Sequence, residues 1–170
     1  MQSSTLAALA PLMLFPVLAY ADAFDRVKCD GDVAKTLRGV PLEVGKRKVV
    51  QLEAAHTAIK LKLDGADGIA GDPYGTRFWK ICDREYVTLH DTHTRKTEDV
   101  VRDVLAVPTH PEIQRLLPPS RCTRGAATLD DVLALMPKGA EAKPAAAWRI
   151  DRAKLTFVSV PVEGLVCSAE

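Results

Sequence analysis

The stretch from Phe78 to His93, FWKICDREYVTLHDTH, decides how this chain of 170 residues is interpreted. Apolar and polar side chains alternate along it with the period of two that half-buried strands have. The polar pair Asp83-Arg84 interrupts the alternation, so the pattern predicts a β-hairpin with strands at Thr76–Cys82 and Glu85–Asp91. The alternation returns at Val100–Val107, which predicts the third strand of an antiparallel meander.

Four segments before and after this meander have helical patterns. In some of them apolar residues recur every three or four positions, and in others a capping residue or a proline marks the first turn. The predicted helices are Val33–Arg38, Val49–Leu61, Pro111–Leu117 and Thr128–Met136. A second hairpin is predicted at Trp148–Val160, and the Asp- and Gly-rich segment 63–74 is interpreted as turns. The predicted fold class is therefore α+β: an antiparallel sheet, made of the central meander and the C-terminal hairpin, with helices packed on one face.

The N-terminal residues 1–23 predict a secretory signal peptide. The run from Leu6 to Tyr20 is apolar and has about the length of a signal-peptide core, although no basic residue precedes it. The A-x-A pattern of cleavage sites follows twice. Cleavage is therefore expected after Ala21 or Ala23, with export to the periplasm or the cell exterior.

The competing interpretation of the same segment is an uncleaved membrane anchor. Pro11 and Pro16 interrupt the apolar run, whereas a spanning helix needs about 20 consecutive apolar residues. Cleavage is favoured, and no membrane span is expected after it. Residues 24–170 then have the size of one domain, predicted to be a single α+β domain.

All four cysteines follow the predicted cleavage site. An even number of cysteines in an oxidising compartment predicts two disulfides. No C-x-x-C pair is present, so neither a zinc knuckle nor a thioredoxin-like motif is indicated. Of the three possible pairings, Cys29–Cys82 with Cys122–Cys167 is favoured. The first bond would fasten the leading helix to the hairpin, and the second would fasten the C-terminal strand to the rest of the domain.

The most site-like cluster is formed by His90, Asp91 and His93. If the chain turns at Asp91, both imidazoles could converge on a metal together with the carboxylate. Zinc would need a further ligand, for which His110, His56 or a distant acid is available. The alternative is a pair of solvated turn histidines, because short H-x-x-H segments are common by chance. His56 lies on the apolar stripe of a predicted helix and is interpreted as a histidine at the edge of the core.

The composition argues against several functional classes. The 23 basic and 22 acidic residues give a net charge of +1 and form no basic stripe with interleaved aromatic residues, so a nucleic-acid partner is not expected. The sequence has no G-x-S-x-G elbow and no glycine-rich phosphate loop, and no cofactor is predicted. Trp79 and Trp148 lie in strand-like patterns and are interpreted as core residues rather than carbohydrate platforms.

The favoured function is an exported, disulfide-stabilised, non-catalytic module that binds a protein or an envelope component. One alternative is a metal-dependent or acid/base enzyme that uses His90, Asp91 and His93. Another is a structural accessory protein of the envelope without a discrete site. Small size, disulfides, balanced charge and the lack of a catalytic motif favour the first.

Overall fold

A computed structural model describes residues 23–42, 49–68, 74–91, 99–109, 113–137 and 143–168. The strands in these ranges are β1 (Pro41–Leu42), β2 (Lys62–Gly68), β3 (Tyr74–Ile81), β4 (Arg84–Asp91), β5 (Asp99–Ala106), β6 (Ile113–Leu117), β7 (Cys122–Arg124), β8 (Ala127–Leu129), β9 (Val132–Pro137), β10 (Ala146–Asp151), β11 (Thr156–Val160) and β12 (Leu165–Cys167). The helices are α1 (Val33–Leu37) and α2 (Val49–Ala55), with 3₁₀ turns at Ala23–Arg26 and Thr57–Ile59. Among these helices, none has the length and hydropathy needed to cross a membrane.

The strands form three antiparallel sheets. The central sheet has the order β1-β5-β4-β3-β2, the second sheet the order β11-β10-β9-β6, and the small sheet the order β12-β7-β8. Helices α1 and α2 cover one face of the central sheet, and the second sheet covers the other. The small sheet covers the outer face of the second sheet. The domain is therefore a stack in which each sheet buries one apolar face against the next layer.

The predicted fold class, α+β with helices packed on one face of an antiparallel sheet, is wrong, because the described chain is mainly β. The central meander and the C-terminal hairpin are present as β3–β4–β5 and β10–β11. Short helices do lie on one face of the central sheet, but its other face packs against a second sheet rather than against solvent.

The predicted helix Thr128–Met136 is wrong for a physical reason. The structure has β9 there, and all of Val132–Met136 is buried because the second sheet is covered on both faces. A strand that is buried on both faces loses the alternation of apolar and polar residues. A short continuous apolar run of this kind resembles a segment of buried helix.

The predicted helix Pro111–Leu117 is also wrong, since the described part of this segment is the strand β6. Its two leucines belong to different layers: Leu116 packs between the central and second sheets, and Leu117 packs between the second and small sheets. Neighbouring residues that face opposite sides are the mark of a strand. The segment 63–74, interpreted as turns, contains most of β2.

The N-terminal helix agrees with its prediction. Asp32 begins α1 by accepting a hydrogen bond from the backbone N–H of Lys35 at 2.9 Å. Gly39 follows the helix with a φ of +76°, a conformation in which glycine has no steric cost. The second predicted helix, Val49–Leu61, is shorter than expected. Helix α2 ends at Ala55, and a 3₁₀ turn continues the segment.

The β3–β4 hairpin has its turn one residue earlier than predicted. Cys82 and Asp83 occupy the turn with φ values of +53° and +62°, and β4 starts at Arg84. Positive φ at both central residues gives the twist that two-residue hairpins need. The backbone N–H of Cys82 donates to the carbonyl of Ile59 at 2.7 Å, and Lys60 forms an ion pair with Asp83. These contacts hold the non-glycine turn in place.

Two disulfides are present, as the cysteine count predicts. Cys29 is bonded to Cys82 and Cys122 to Cys167, with Cα–Cα distances of 5.4 and 4.1 Å. The first bond joins the segment before α1 to the hairpin turn. The second joins the paired strands β7 and β12 of the small sheet. The predicted signal peptide, residues 1–23, lies outside the described residues apart from Ala23.

Candidate functional site

His90, one of the two histidines in the predicted metal cluster, is buried within the stack of sheets. It lies on β4, on the face of the central sheet that α1 and α2 cover, and is 1% exposed. Its Nε2 atom is 2.5 Å from the Thr88 hydroxyl, and its Nδ1 atom is 3.3 Å from a guanidinium nitrogen of Arg77. The indole N–H of Trp79 donates to the same Thr88 hydroxyl at 2.9 Å. We call these four residues the His90 network.

The donors and acceptors of the His90 network fit one arrangement of protons. A guanidinium can only donate, so Nδ1 of His90 accepts from Arg77. A neutral imidazole then carries its proton on Nε2 and donates to the Thr88 hydroxyl. That hydroxyl accepts from both His90 and Trp79, and its own proton can reach the carbonyl oxygen of Arg77, 3.4 Å away. Both nitrogens of His90 are used within the protein.

Electrostatics agree with this neutral imidazole. Burial, with a further contribution from the Arg77 charge, lowers the pKa of His90 to about 3. The charged form would lose its hydration and would place an Nδ1–H donor against a guanidinium. His90 is therefore an uncharged structural residue at neutral pH, and its nitrogens are not available to a metal.

Asp91 is committed to a different contact. Successive side chains of a strand point to opposite faces, so Asp91 lies on the other side of the central sheet from His90. Its Oδ2 atom accepts from Nη2 and Nε of Arg102 at 2.6 and 3.2 Å. His93 and His110 lie outside the described residues. Within the described ranges, no three His, Cys, Asp or Glu residues group as metal ligands would. The metal hypothesis gains no support from His90 and Asp91.

His56, the other histidine considered, is part of the N-terminal layer. It is buried at the end of α2, with its ring centroid 5.7 Å from that of Phe24. Phe24 in turn packs against Trp79 with a centroid distance of 5.0 Å. His56 therefore contacts the core that covers the central sheet, as interpreted from the sequence. It is not part of the His90 network and is not paired with Asp91.

A groove of about 300 Å³ opens on the other face of the hairpin. It lies between the turn end of the central sheet and the edge strand β6 of the second sheet. Its apolar lining comes from Phe78, Val107, Leu116 and Pro118, and its charged lining from Asp64, Glu85 and Arg115. Gly65, Trp79 and Tyr86 complete it.

Among the described residues, no strand covers the place where the edges of the two sheets meet at the groove. Strand β2 ends the central sheet, and β6 ends the second sheet. Gly65 pairs with Phe78, and a β-carbon placed on Gly65 would lie 3.9 Å from the Phe78 ring. The lack of a side chain on Gly65 therefore leaves space in the groove, and a β-carbon added there would not clash with Phe78. A bulge between Leu63 and Gly65 interrupts the ladder just before this position.

One of the three charged lining residues of the groove is paired within the protein. Asp64 forms an ion pair with Lys62 at 3.0 Å. Glu85 and Arg115 are exposed and have no ion-pair partner in the part of the chain that the structure describes. None of the lining residues is a His, Cys, Ser or Thr. The groove therefore offers apolar contact and opposite charges, which suit binding.

The groove was not predicted from the sequence. Gly65 was placed in turns, and a helix was predicted in the place of β6. No local pattern contains the groove, because its walls come from five separate segments that meet only after the sheets pack. The two tryptophans behave as interpreted: Trp79 is buried, and Trp148 packs against the cluster between the sheets.

Comparisons with protein-family models, with curated proteins and with solved structures find no match. The functional interpretation consequently rests on the chemistry of the groove.

Proposed function

We propose that this protein is an exported, non-catalytic module that binds a partner protein, and that the groove is its ligand-contacting surface. The single observation that carries the proposal is the shape and chemistry of the groove. A concave, largely apolar lining is bordered by Glu85 and Arg115, two exposed charges of opposite sign without partners among the described residues. Binding sites commonly combine an apolar cavity with a few polar groups that orient the ligand.

The size of the groove supports a protein partner over a small-molecule substrate. Pockets for small molecules span about 300 to 1,000 Å³ and enclose most of their ligand. At about 300 Å³ this groove stands at the lower end of that range and is open to solvent along one side. It can receive one or two side chains that project from a larger molecule, with the charged border setting their orientation.

Export is part of the same proposal. Two disulfides are consistent with an oxidising compartment, where such bonds persist. Ala23 is 3% exposed and belongs to the cluster that packs under the helices. Of the two predicted cleavage positions, the one after Ala21 would keep this buried residue in the mature chain, so we propose cleavage there.

The test uses a phage-displayed library of random linear peptides, selected on the immobilised mature protein. Peptides enriched on the wild type should lose at least about tenfold in affinity, or about 1.4 kcal/mol, for the Gly65→Leu variant, whose added side chain enters the groove beside Phe78. Val158→Leu is the matched control. It adds apolar volume at an exposed position on β11, at the opposite edge of the second sheet, and should bind like the wild type.

Two results would contradict the proposal. Enriched peptides that bind Gly65→Leu as well as the wild type would place the binding surface elsewhere. Failure of the library to enrich any peptide on the wild type would remove the basis for a peptide-binding groove.

A further inference from the structure

We propose that the partner enters the groove as an extended segment that adds to β6 as a fifth strand of the second sheet. The segment carries an apolar side chain for the groove, with an acidic residue for Arg115 and a basic residue for Glu85 at alternate positions on either side. The inference rests on the proposed function of the groove and adds the backbone form and the chemistry of its ligand.

On two strand edges elsewhere in the stack, a carboxylate occupies one backbone N–H group. On β11, the backbone N–H of Phe157 donates to Asp103 Oδ2 at 2.8 Å. On β2, the backbone N–H of Leu63 donates to Glu53 Oε1 at 2.9 Å. A side chain that occupies an edge N–H group competes with an added strand for that donor.

The remaining described edges, apart from β6, are short. Strand β1 has two residues and begins with Pro41, which has no N–H to donate. Strands β8 and β12, at the edges of the small sheet, have three residues each. None of these three edges contributes a residue to the lining of the groove.

Strand β6 differs from all of these edges. It has five residues, ends the second sheet, and pairs with β9 along one side. Within the described residues, no side chain is hydrogen-bonded to its backbone. The bulge between Ile113 and Arg115 lies near its start, and pairing is regular from Arg115 to Leu117. This regular part also lines the groove. An open edge beside an apolar cavity is the arrangement by which extended peptides are recognised through strand addition.

The charges at the border select the chemistry of the segment. Arg115 is on β6. Glu85 is the second residue of β4, next to the hairpin turn, and lies on the same face of the sheet as Phe78. A segment with charges of one sign would meet repulsion at one of these two residues. In an extended chain, alternate residues share a face and lie about 7 Å apart. An apolar residue flanked at alternate positions by opposite charges therefore matches the groove and its border.

The experiment uses fluorescently labelled synthetic peptides and the mature full chain. The mixed-charge peptide is Thr-Asp-Thr-Leu-Thr-Lys-Thr; its two relatives carry Asp at both charged positions or Lys at both. The wild type should bind the mixed peptide most tightly in a polarisation assay. Methylation of one alternate set of backbone nitrogens, the set that faces β6, should weaken binding at least about tenfold, whereas methylation of the other set should change it little. Loss of the mixed peptide's advantage, or binding that neither alternate set weakens when each is methylated in turn, would overturn the inference.

Charge-reversed variants test the border directly. Arg115→Glu should prefer the peptide with two Lys, and Glu85→Lys should prefer the peptide with two Asp, whichever direction the peptide runs. Lys154→Glu, at an exposed position between β10 and β11, is the control and should keep the wild-type preference. Variants without a switch would contradict the assigned charges.

The outcomes separate this inference from the proposed function. If the library-selected peptides lose affinity for Gly65→Leu but tolerate backbone methylation, the groove binds its ligand without strand addition, and this inference alone fails. If Gly65→Leu binds the selected peptides normally, the proposed function itself fails.

Discussion

The two faces of the β3–β4 hairpin show how differently the same two strands can be used. One face carries the His90 network, which contains the residue types that usually suggest catalysis. There His90 and Thr88 make their hydrogen bonds within the protein, and His90 is 1% exposed. The other face carries Phe78 and Glu85, whose residue types alone do not indicate a functional site. Toward the turn that face opens into the groove.

The hydrogen-bond partners of these side chains therefore indicate their roles better than the residue types do. A buried polar group with its partners in place stabilises a unique arrangement of the core. An exposed charge beside an apolar cavity can instead form an ion pair with a ligand. The helix-facing side of the hairpin should therefore govern stability and the groove side should govern binding, and the following variants test that division.

Removal of the disulfide at the hairpin turn should have the largest effect. The Cys29→Ala, Cys82→Ala double variant frees a loop with a sequence separation of 53, which corresponds to about 4 kcal/mol in the chain-entropy model. The free energy of unfolding from urea titration measures it. Arg84→Ala, an exposed change next to the turn, is the control and should cost less than about 0.5 kcal/mol. A double variant as stable as the control would show that the turn does not depend on the bond.

Loss of the central hydroxyl of the His90 network should come next. Thr88→Val conserves shape but leaves the Trp79 indole N–H and the His90 Nε2–H buried without their acceptor. The expected cost is about 3 kcal/mol of unfolding free energy, with peptide affinity unchanged. Thr123→Val, on the small sheet, is the matched control with a small effect. A large loss of peptide affinity in Thr88→Val would break the division between the two faces.

The pH dependence of stability should report the same network. The pKa of His90 is lowered to about 3 in the folded protein from 6.5, so between these values the unfolded chain binds a proton that the folded chain does not. The stabilisation is complete above the unfolded pKa and is lost as the pH falls toward the folded pKa.

His90→Gln keeps one donor and one acceptor but does not titrate. Between about pH 7 and about pH 4, the wild type should lose about 3 kcal/mol of unfolding free energy more than this variant. Parallel pH profiles for the two proteins would show that His90 is charged in the folded state.

Filling the groove should have the smallest effect on stability. Gly65 has room for a β-carbon, and it is not one of the described glycines with a positive φ. Gly65→Leu should change the unfolding free energy by less than about 1 kcal/mol in either direction, while peptide affinity falls as described above. Unfolding of the variant would show that Gly65 is needed for the fold, and a smaller Gly65→Ala change would then separate folding from binding.

The sequence was sufficient for features that are local or that a few residues determine. Alternation predicted the meander, apolar spacing and a capping residue predicted α1, and cysteine number predicted two disulfides. The strands β6 and β9 could not be predicted in the same way. The run at β9 is apolar on both faces because two further layers cover it, and that covering is a property of the assembled stack.

The candidate site was beyond local patterns for a related reason. The histidine cluster stood out by residue type, yet the partners that occupy His90 and Asp91, namely Arg77 and Arg102, come from positions that only strand pairing brings close. Likewise the groove needs Gly65, Phe78 and Arg115 from three strands of two sheets.

The central claim is that ligand binds on the groove face of the hairpin and not at the His90 face. The most direct test is titration of ¹⁵N-labelled mature protein with a library-selected peptide, followed by amide chemical shifts. The amides of Gly65, Glu85 and Arg115 should shift in a saturable way while those of Thr88 and His90 stay in place. Shifts concentrated at Thr88 and His90, with the groove amides unmoved, would contradict the claim.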